Sequence, residues 1–333
     1  MYKIKSLLDN NIWHKFAIYY QGGSFMTRKK STQLFYHYFE DWVELYKVNS
    51  VRPITLNKYY VTLAWLIRLA PKLQLCDLTR QSYQQLINEY AQDHERQTTM
   101  DFHHQLKSCI VDAFEEGEIK QNPTRKAVIT GKRPAPKKVK FLSQFDVQKL
   151  IHVMNLETSL NWDWFLLLIL KTGLRFSEAL AITPECFDFT NQTLSVKYSW
   201  DYRHTDGSFQ PTKNPSSVRQ IQLDWQITMQ FSQLLHGLPK DQPIFVHGRV
   251  FNASINRHLK VLCESAEVPV LSIHGLRHTH ASLLLFAGVS VASVARRLGH
   301  ANMATTQSTY LHIIQELESK DGERIMREMS QLV

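Results

Sequence analysis

From about Thr32 to Gly117 apolar side chains return at three- and four-residue steps. Phe35, Phe39, Trp42 and Tyr46 form one series; beyond Pro53 and Thr55, Tyr59, Leu63, Leu66, Ile67 and Leu69 form a second. That period belongs to amphipathic helices. Ser82 to Tyr90 and Phe102 to Phe114 repeat it, which predicts a four-helix domain whose aromatic stripes pack its core. After residue 140 the pattern changes. Leu142 to Asp146 reads as a helix start, with Ser143 as N-cap and Asp146 in the first turn. A long apolar helix is predicted around Trp162 to Thr172, broken at Gly173. Residues 193–200 and 218–223 alternate like strands, joined by a polar loop that contains Lys213. From Val250 onward the chain reads as mostly helical. At the other end, residues 11–21 suggest one short strand, followed by Gly22-Gly23 and the basic cluster Arg28-Lys29-Lys30. This segment is too small to be a stable domain of its own.

Charge sharpens the division. Of 39 Lys and Arg and 30 Asp and Glu, residues 1–140 hold 22 and 13, so the formal charge of +9 lies entirely in that part. Residues 141–333 hold 17 of each. Residues 120–140 carry eight bases, three prolines and no acid, which predicts an extended interdomain linker running along a phosphate backbone. Lys132, Arg133, Lys137, Lys138 and Lys140 are its candidate DNA contacts. A polyanion is therefore the first partner to consider.

Other classes lose support. The longest apolar run, Trp164 to Leu170, is too short to span a bilayer, and the N-terminus lacks the features of a secretory signal. Cys76, Cys109, Cys186 and Cys263 lie far apart without a CxxC pair, as expected of reduced thiols in a cytoplasmic protein. Neither GxSxG nor GxxxxGK[ST] occurs, so serine hydrolases and P-loop ATPases lose their main support. His274, His278 and His280 cluster, but no HExxH, cysteine or paired carboxylate completes a metal site. His278 and His280 read as structural.

Three strings carry the candidate chemistry: Lys171-Thr-Gly-Leu-Arg-Phe-Ser-Glu178, His274-Gly-Leu-Arg277-His-Thr-His-Ala281, and Leu298-Gly-His300 with Tyr310 ten residues on. Each alone is weak. Together with PTKNPSSVRQIQL, the order Arg, Lys, His-x-x-Arg, Gly-His, Tyr resembles the tyrosine recombinases, the phage-integrase family, over residues 142–315. The region 32–117 resembles that family's core-binding domain more weakly.

The resemblance implies a mainly α fold with a small β-sheet (α+β). A helical core-binding domain (32–119) would join a mixed catalytic domain (141–315) through the basic linker, the two forming a C-shaped clamp on DNA. Residues 1–31 would be an abbreviated arm-binding element, and 316–333 a helical tail docking on a neighbouring subunit. It implies Tyr310 as nucleophile, Arg175 and Arg277 as a clamp on the phosphate, and His274 as acid/base. Lys213 would protonate the departing 5′ oxygen, His300 would hydrogen-bond the phosphate, and Glu178 would support the site. Such a reaction conserves the phosphodiester energy in a 3′-phosphotyrosine and needs neither ATP nor metal. The implied partners are double-stranded DNA attachment sites, a homotetramer that exchanges strands through a Holliday junction, an excisionase and a host DNA-bending protein; a membrane is not among them. The implied setting is the nucleoid of a bacterial host, where such an enzyme would integrate or excise a phage or mobile element. Two rivals remain at the level of sequence: a type IB topoisomerase, which shares the residue set, and a non-catalytic DNA-binding protein on the same fold.

Overall fold

The computed structural model describes residues 33–133, 139–157, 159–203, 206–311, 313 and 329–330. The expectations for residues 1–31, for Lys137 and Lys138, and for the tail apart from 329–330 lie outside them. The chain divides into two compact units, Met1–Lys137 and Lys138–Val333.

In the first unit, helices α1 (Phe35–Tyr46), α2 (Pro53–Leu69), α3 (Arg80–Asp93) and α4 (Arg96–Glu115) enclose a core of Phe35, Phe39, Leu63, Leu66, Tyr83, Ile87, Phe102 and Leu106. Pro53 opens α2 at its first turn, where no intrahelical N–H is needed. Thr79 caps α3 in a reciprocal pair with Ser82. Two buried polar groups are matched inside this core: the Tyr83 hydroxyl lies 2.8 Å from His103 Nδ1.

The basic segment is not an extended linker along its whole length. Residues 119–132 fold back on the helices. Ile119 is buried, Ala127 and Ile129 pack against the aromatic core, and the Gln84 side-chain amide both donates to the Val128 carbonyl (2.8 Å) and accepts from its N–H (2.9 Å). The Lys132 N–H donates to the His94 carbonyl. The bases face solvent while sparse apolar side chains turn inward. The eight bases suggested solvation, but three apolar anchors and a paired amide are enough to hold the backbone.

The second unit is organised around α6 (Trp162–Thr172), buried along nearly all its length and capped by the Asn161 carboxamide, which accepts from the N–H groups of Asp163 and Trp164. Before it, α5 (Gln144–His152) starts at Ser143, whose hydroxyl accepts from the Asp146 N–H. After it come α7 (Phe176–Leu180) and the strands β1 (Phe187–Asp188), β2 (Thr193–Val196), β3 (Tyr198–Trp200), β4 (Phe209–Pro211) and β5 (Arg219–Gln222). They form an antiparallel sheet in the order β1-β2-β5, with Leu194 opposite Ile221, and a separate β3-β4 hairpin. The strand expected at 193–200 is thus two strands in two sheets, divided at Lys197. The loop expected to contain Lys213 holds β4 as well, and Lys213 follows that strand. Helices α8 (Trp225–Leu234), α9 (Asn252–Ser265), α10 (Ile273–Phe286) and α11 (Val291–Leu298) complete the unit, with a further helical stretch at 303–311. The contact of α6 with α10 sets two of the three candidate strings side by side.

Candidate active site

Gly173 ends α6 in the left-handed conformation (φ +70°), and a Cβ there would stand 2.7 Å from the His280 ring. The chain can therefore turn sharply and present Arg175 at the N-cap of α7. The Arg175 backbone N–H donates to Glu178 Oε2 (3.0 Å), and its Nη1 donates to Glu178 Oε1 (2.6 Å) and to the Ser217 hydroxyl (3.0 Å). Its Nη2 donates to the Gly299 carbonyl (2.9 Å). Glu178 is 2% exposed. Burial alone would raise its carboxyl, but Arg219 and Arg175 outweigh that and hold it below the usual carboxylate range. Arg219 donates from Nη2 to Glu178 (3.0 Å) and from Nε to the Arg297 carbonyl (2.7 Å). The carboxylate is thus the hub of two guanidiniums that desolvation would otherwise penalise.

The next group comes from α10. His274 is exposed, Arg277 is 3% exposed and His278 is half-buried. Spacings of three and four residues set these side chains on one helical face, and the His274 and His278 rings meet edge to face at 4.7 Å. Arg277 donates from Nη1 to the Gly173 carbonyl (2.6 Å) and from Nη2 to the Leu298 carbonyl (2.7 Å). Burial first, and the neighbouring Arg175 next, bring its pKa down to about 9, which leaves it protonated at neutral pH. His280 faces the other way. Its Nδ1 donates to the Leu170 carbonyl (2.9 Å), which leaves Nε2 to accept from Arg297 Nε (2.9 Å), so this ring is neutral. It joins α6 to α11 and is structural, as the sequence reading had it.

The turn after α11 completes the cluster. Gly299 is left-handed (φ +69°), and a Cβ there would stand 2.9 Å from the Arg219 guanidinium. His300 follows, its Nδ1 2.7 Å from the Thr306 hydroxyl. Burial, then Arg277, Arg175 and Arg219, lower the His300 pKa to about 4. A cleft of about 470 Å³ opens beside it, lined by Ser216, Arg219, Gln220, Arg296 and His300. Tyr310, on the 303–311 helix, is 2% exposed among Leu285, Val294, Leu298 and Ile313. Its hydroxyl lies 2.8 Å from His278 Nδ1. Burial raises the phenol to about 12, and the nearby Arg277 cation works against that rise.

Arg175, Glu178, His274, Arg277, His300 and Tyr310 are therefore coupled through hydrogen bonds or fields. Lys213 is exposed on the segment between β4 and the turn Pro215–Ser217, four residues before the serine that receives Arg175. Lys132 and Arg133 lie outside this unit, exposed, with Lys132 Nζ 3.5 Å from Asp93. Lys140 is exposed just ahead of α5, and its charge acts on His278. Among the described residues no group of three or more metal-ligating side chains gathers, and no helix is long and apolar enough to cross a membrane.

Sequence reasoning overlooked two residues. Arg219 sits in the alternation of β5 on the same face as the buried Ile221, and a cation at a core-facing strand position was a readable signal. His278, which reads as structural in the sequence, meets the Tyr310 hydroxyl, and its four-residue spacing from His274 is the signal that places it on the same helix face.

A family model of the phage integrase family matches residues 140–316, just over half of the chain. The integrase of Staphylococcus phage L54a is 27% identical over 168 residues, which are 44% of this chain and 46% of that one. The transposase from transposon Tn916 of Enterococcus faecalis is 25% identical over 260 residues, 71% of this chain and 63% of the relative. The chain thus spans less than two thirds of the length of either relative. Among solved structures, the Tn1549 transposon integrase in complex with transposon right end DNA has a TM-score of 0.72 at 17% identity, covering 88% of this chain and all of that one. A lambda integrase dimer bound to a core site has a TM-score of 0.62 at 15% identity, covering 89% and 84%. At such identities the likeness is one of fold. With the family model over residues 140–316 and the arginines, histidines and tyrosine of that stretch coupled in one cluster, the chain belongs to the phage integrase family.

Proposed function

We propose that the chain is a site-specific DNA recombinase that cuts and rejoins duplex DNA through a 3′-phosphotyrosine, integrating or excising a phage or mobile element. One observation carries this reading: two prearranged guanidiniums, Arg277 buried and Arg175 half-buried, and an imidazole are coupled beside a tyrosine whose hydroxyl already has a nitrogen partner. Attack on a phosphodiester builds negative charge on the non-bridging oxygens. Arg175 and Arg277 would meet that charge without reorganising, because their carbonyl and carboxylate partners fix them before DNA arrives. His300 would donate to the same phosphate from Nε2, its Nδ1 being held by Thr306. The family resemblance gives His274, on α10, the acid/base role, and Lys213 would give a proton to the departing 5′ oxygen. Glu178 holds the arginines and takes no part in the reaction.

The relatives are integrases and transposases, and the Tn1549 and lambda enzymes are seen bound to DNA. The same partner for this chain agrees with its charge. The helical unit would act as the core-binding domain, with Lys132, Arg133, Lys137, Lys138 and Lys140 following the backbone. Four copies would exchange strands in two rounds through a Holliday junction. The exchange of one hydroxyl for another is nearly isoenergetic, so direction would come from an excisionase and a host DNA-bending protein.

The test is a nicked suicide duplex carrying the cleaved core sequence, read as a protein–DNA covalent complex on a denaturing gel. Tyr310→Phe should give none while binding the duplex as before. A covalent complex formed by that variant overturns the nucleophile assignment. Wild-type protein that relaxes plasmid and never joins two sites would favour the topoisomerase.

A further inference from the structure

His278 lies outside the six-residue set that carries the family resemblance, yet in this structure it holds the hydroxyl of Tyr310, and no hydrogen bond joins His274 to that phenol among the described residues. We propose that His278 is the proton acceptor for Tyr310, taking the phenolic proton on Nδ1 as the oxygen attacks phosphorus. The proposal rests on Tyr310 being the nucleophile, as read above.

The geometry meets the first requirement of a general base. Nδ1 is within hydrogen-bond distance of the reacting oxygen before substrate is present, and the two rings cross at 64° with centroids 5.7 Å apart. The ring sits on α10 next to Arg277, so the acceptor and one arm of the phosphate clamp share one rigid helix. His278 is also kept uncharged. Burial, then His274 and Arg277 on its own helix and Lys140 from the segment before α5, lower its pKa to about 4. The 303–311 helix presents Tyr310 to it, and His300 lies within range of its field. A neutral ring can accept a proton; an imidazolium could not.

The same cations explain why the pair is idle without DNA. An imidazole beside Arg277 and Lys140 is a weak base, and the desolvated phenol is a weak acid. A phosphate entering the clamp places negative charge against those cations, which raises the basicity of His278. Binding of the substrate would therefore strengthen the base. In the step itself the bond from Tyr310 Oη to phosphorus forms and the phenolic proton moves to Nδ1. The bond from phosphorus to the 5′ oxygen breaks, and that oxygen takes a proton from Lys213. In rejoining, the 5′-hydroxyl returns its proton to Lys213, and the His278 imidazolium returns its own to the leaving phenolate. Protons balance in both directions, which suits a reversible transesterification.

His278→Gln keeps a polar partner for the phenol but cannot take its proton. Single-turnover cleavage of the suicide duplex should fall about 100-fold or more at pH 7. DNA affinity should be unchanged, and the remaining rate should climb about tenfold per pH unit as hydroxide takes over. A duplex with sulfur at the 5′-bridging position needs no acid for its leaving group. It should restore Lys213→Ala and fail to restore His278→Gln. Should the glutamine variant melt early, 3-fluorotyrosine at position 310 in the otherwise intact chain replaces it, and its more acidic phenol should speed cleavage. The proposal is overturned if His278→Gln cleaves at or above the wild-type rate, if its loss is flat with pH, if sulfur rescues it, or if the fluorinated phenol brings no acceleration. Tyr310→Phe separates the two readings. If it still forms the covalent complex, the nucleophile assignment falls and takes His278 with it. If it is inactive while His278→Gln cleaves normally, only the His278 proposal falls.

Discussion

The two units of this chain contain the same hydrogen bond in different surroundings. In the helical unit the Tyr83 hydroxyl meets His103 Nδ1 at 2.8 Å; in the catalytic unit the Tyr310 hydroxyl meets His278 Nδ1 at 2.8 Å. Both histidines are held neutral with pKa values near 4, and both phenols are pushed upward by burial. The difference lies around the pairs. Tyr83 is fully buried, and its upward shift has burial as its cause. Tyr310 has the Arg277 cation close enough to pull its pKa down, and Arg277 is fixed by the Gly173 carbonyl at the end of α6 and the Leu298 carbonyl at the end of α11. A tyrosine–histidine pair is a packing device by default. On the function proposed above, a fixed positive charge beside the phenol is what would make such a pair reactive.

The comparison breaks most sharply at that charge. Arg277→Ala should lower cleavage by about a thousandfold, the scale of losing one preorganised donor of transition-state charge, with DNA affinity changed less than tenfold. Lys107→Ala, which removes a cation that acts on His103, should leave cleavage alone. Equal losses in the two variants, measured by covalent-complex formation, would erase the distinction. A middle-sized effect is expected in stability. Tyr83→Phe strands the buried His103 Nδ1 and should cost about 1–3 kcal/mol by urea unfolding, with cleavage unchanged. If it costs nothing, the pair in the helical unit is not a structural one.

The smallest effect is with pH. His103 has its folded pKa depressed, so the unfolded chain binds the proton first. Its contribution to stability is complete above pH about 6.5, is lost as pH falls from there to about 4, and stays constant below. His278 and His300 act over the same window, and His280 carries the loss on to about pH 3. The drop in urea midpoint between pH 7.5 and 5 should be smaller for His103→Gln than for wild type. An equal drop would assign the acid sensitivity to the catalytic unit alone.

Local rules made much of this readable in the sequence. The aromatic steps at Phe35, Phe39 and Trp42 and the cap at Ser143 follow from helix periodicity and hydrogen-bond need, which neighbouring residues decide. Arg175, Arg277, His300 and Tyr310 were weak signals one at a time and became legible only through their order along the chain, which resembles that of the phage-integrase family. What escaped depended on contacts distant in sequence. Arg219 is defined by Glu178, 41 residues away, and His278 by Tyr310, 32 residues away. The fold-back of residues 119–132 escaped for a different reason: composition counts the bases, whereas two hydrogen bonds to Gln84 decide where the backbone goes.

The hydrogen bond from Thr306 to His300 has a mechanical consequence. Thr306 and Tyr310 lie one turn apart on the 303–311 helix, so that helix holds the imidazole of the preceding turn with one residue and rests its phenol on His278 with the other. Any force that draws the helix away undoes both attachments in a single displacement. The two attachments therefore form a coupled latch, in which the Tyr310 hydroxyl and the His300 ring are held together or released together.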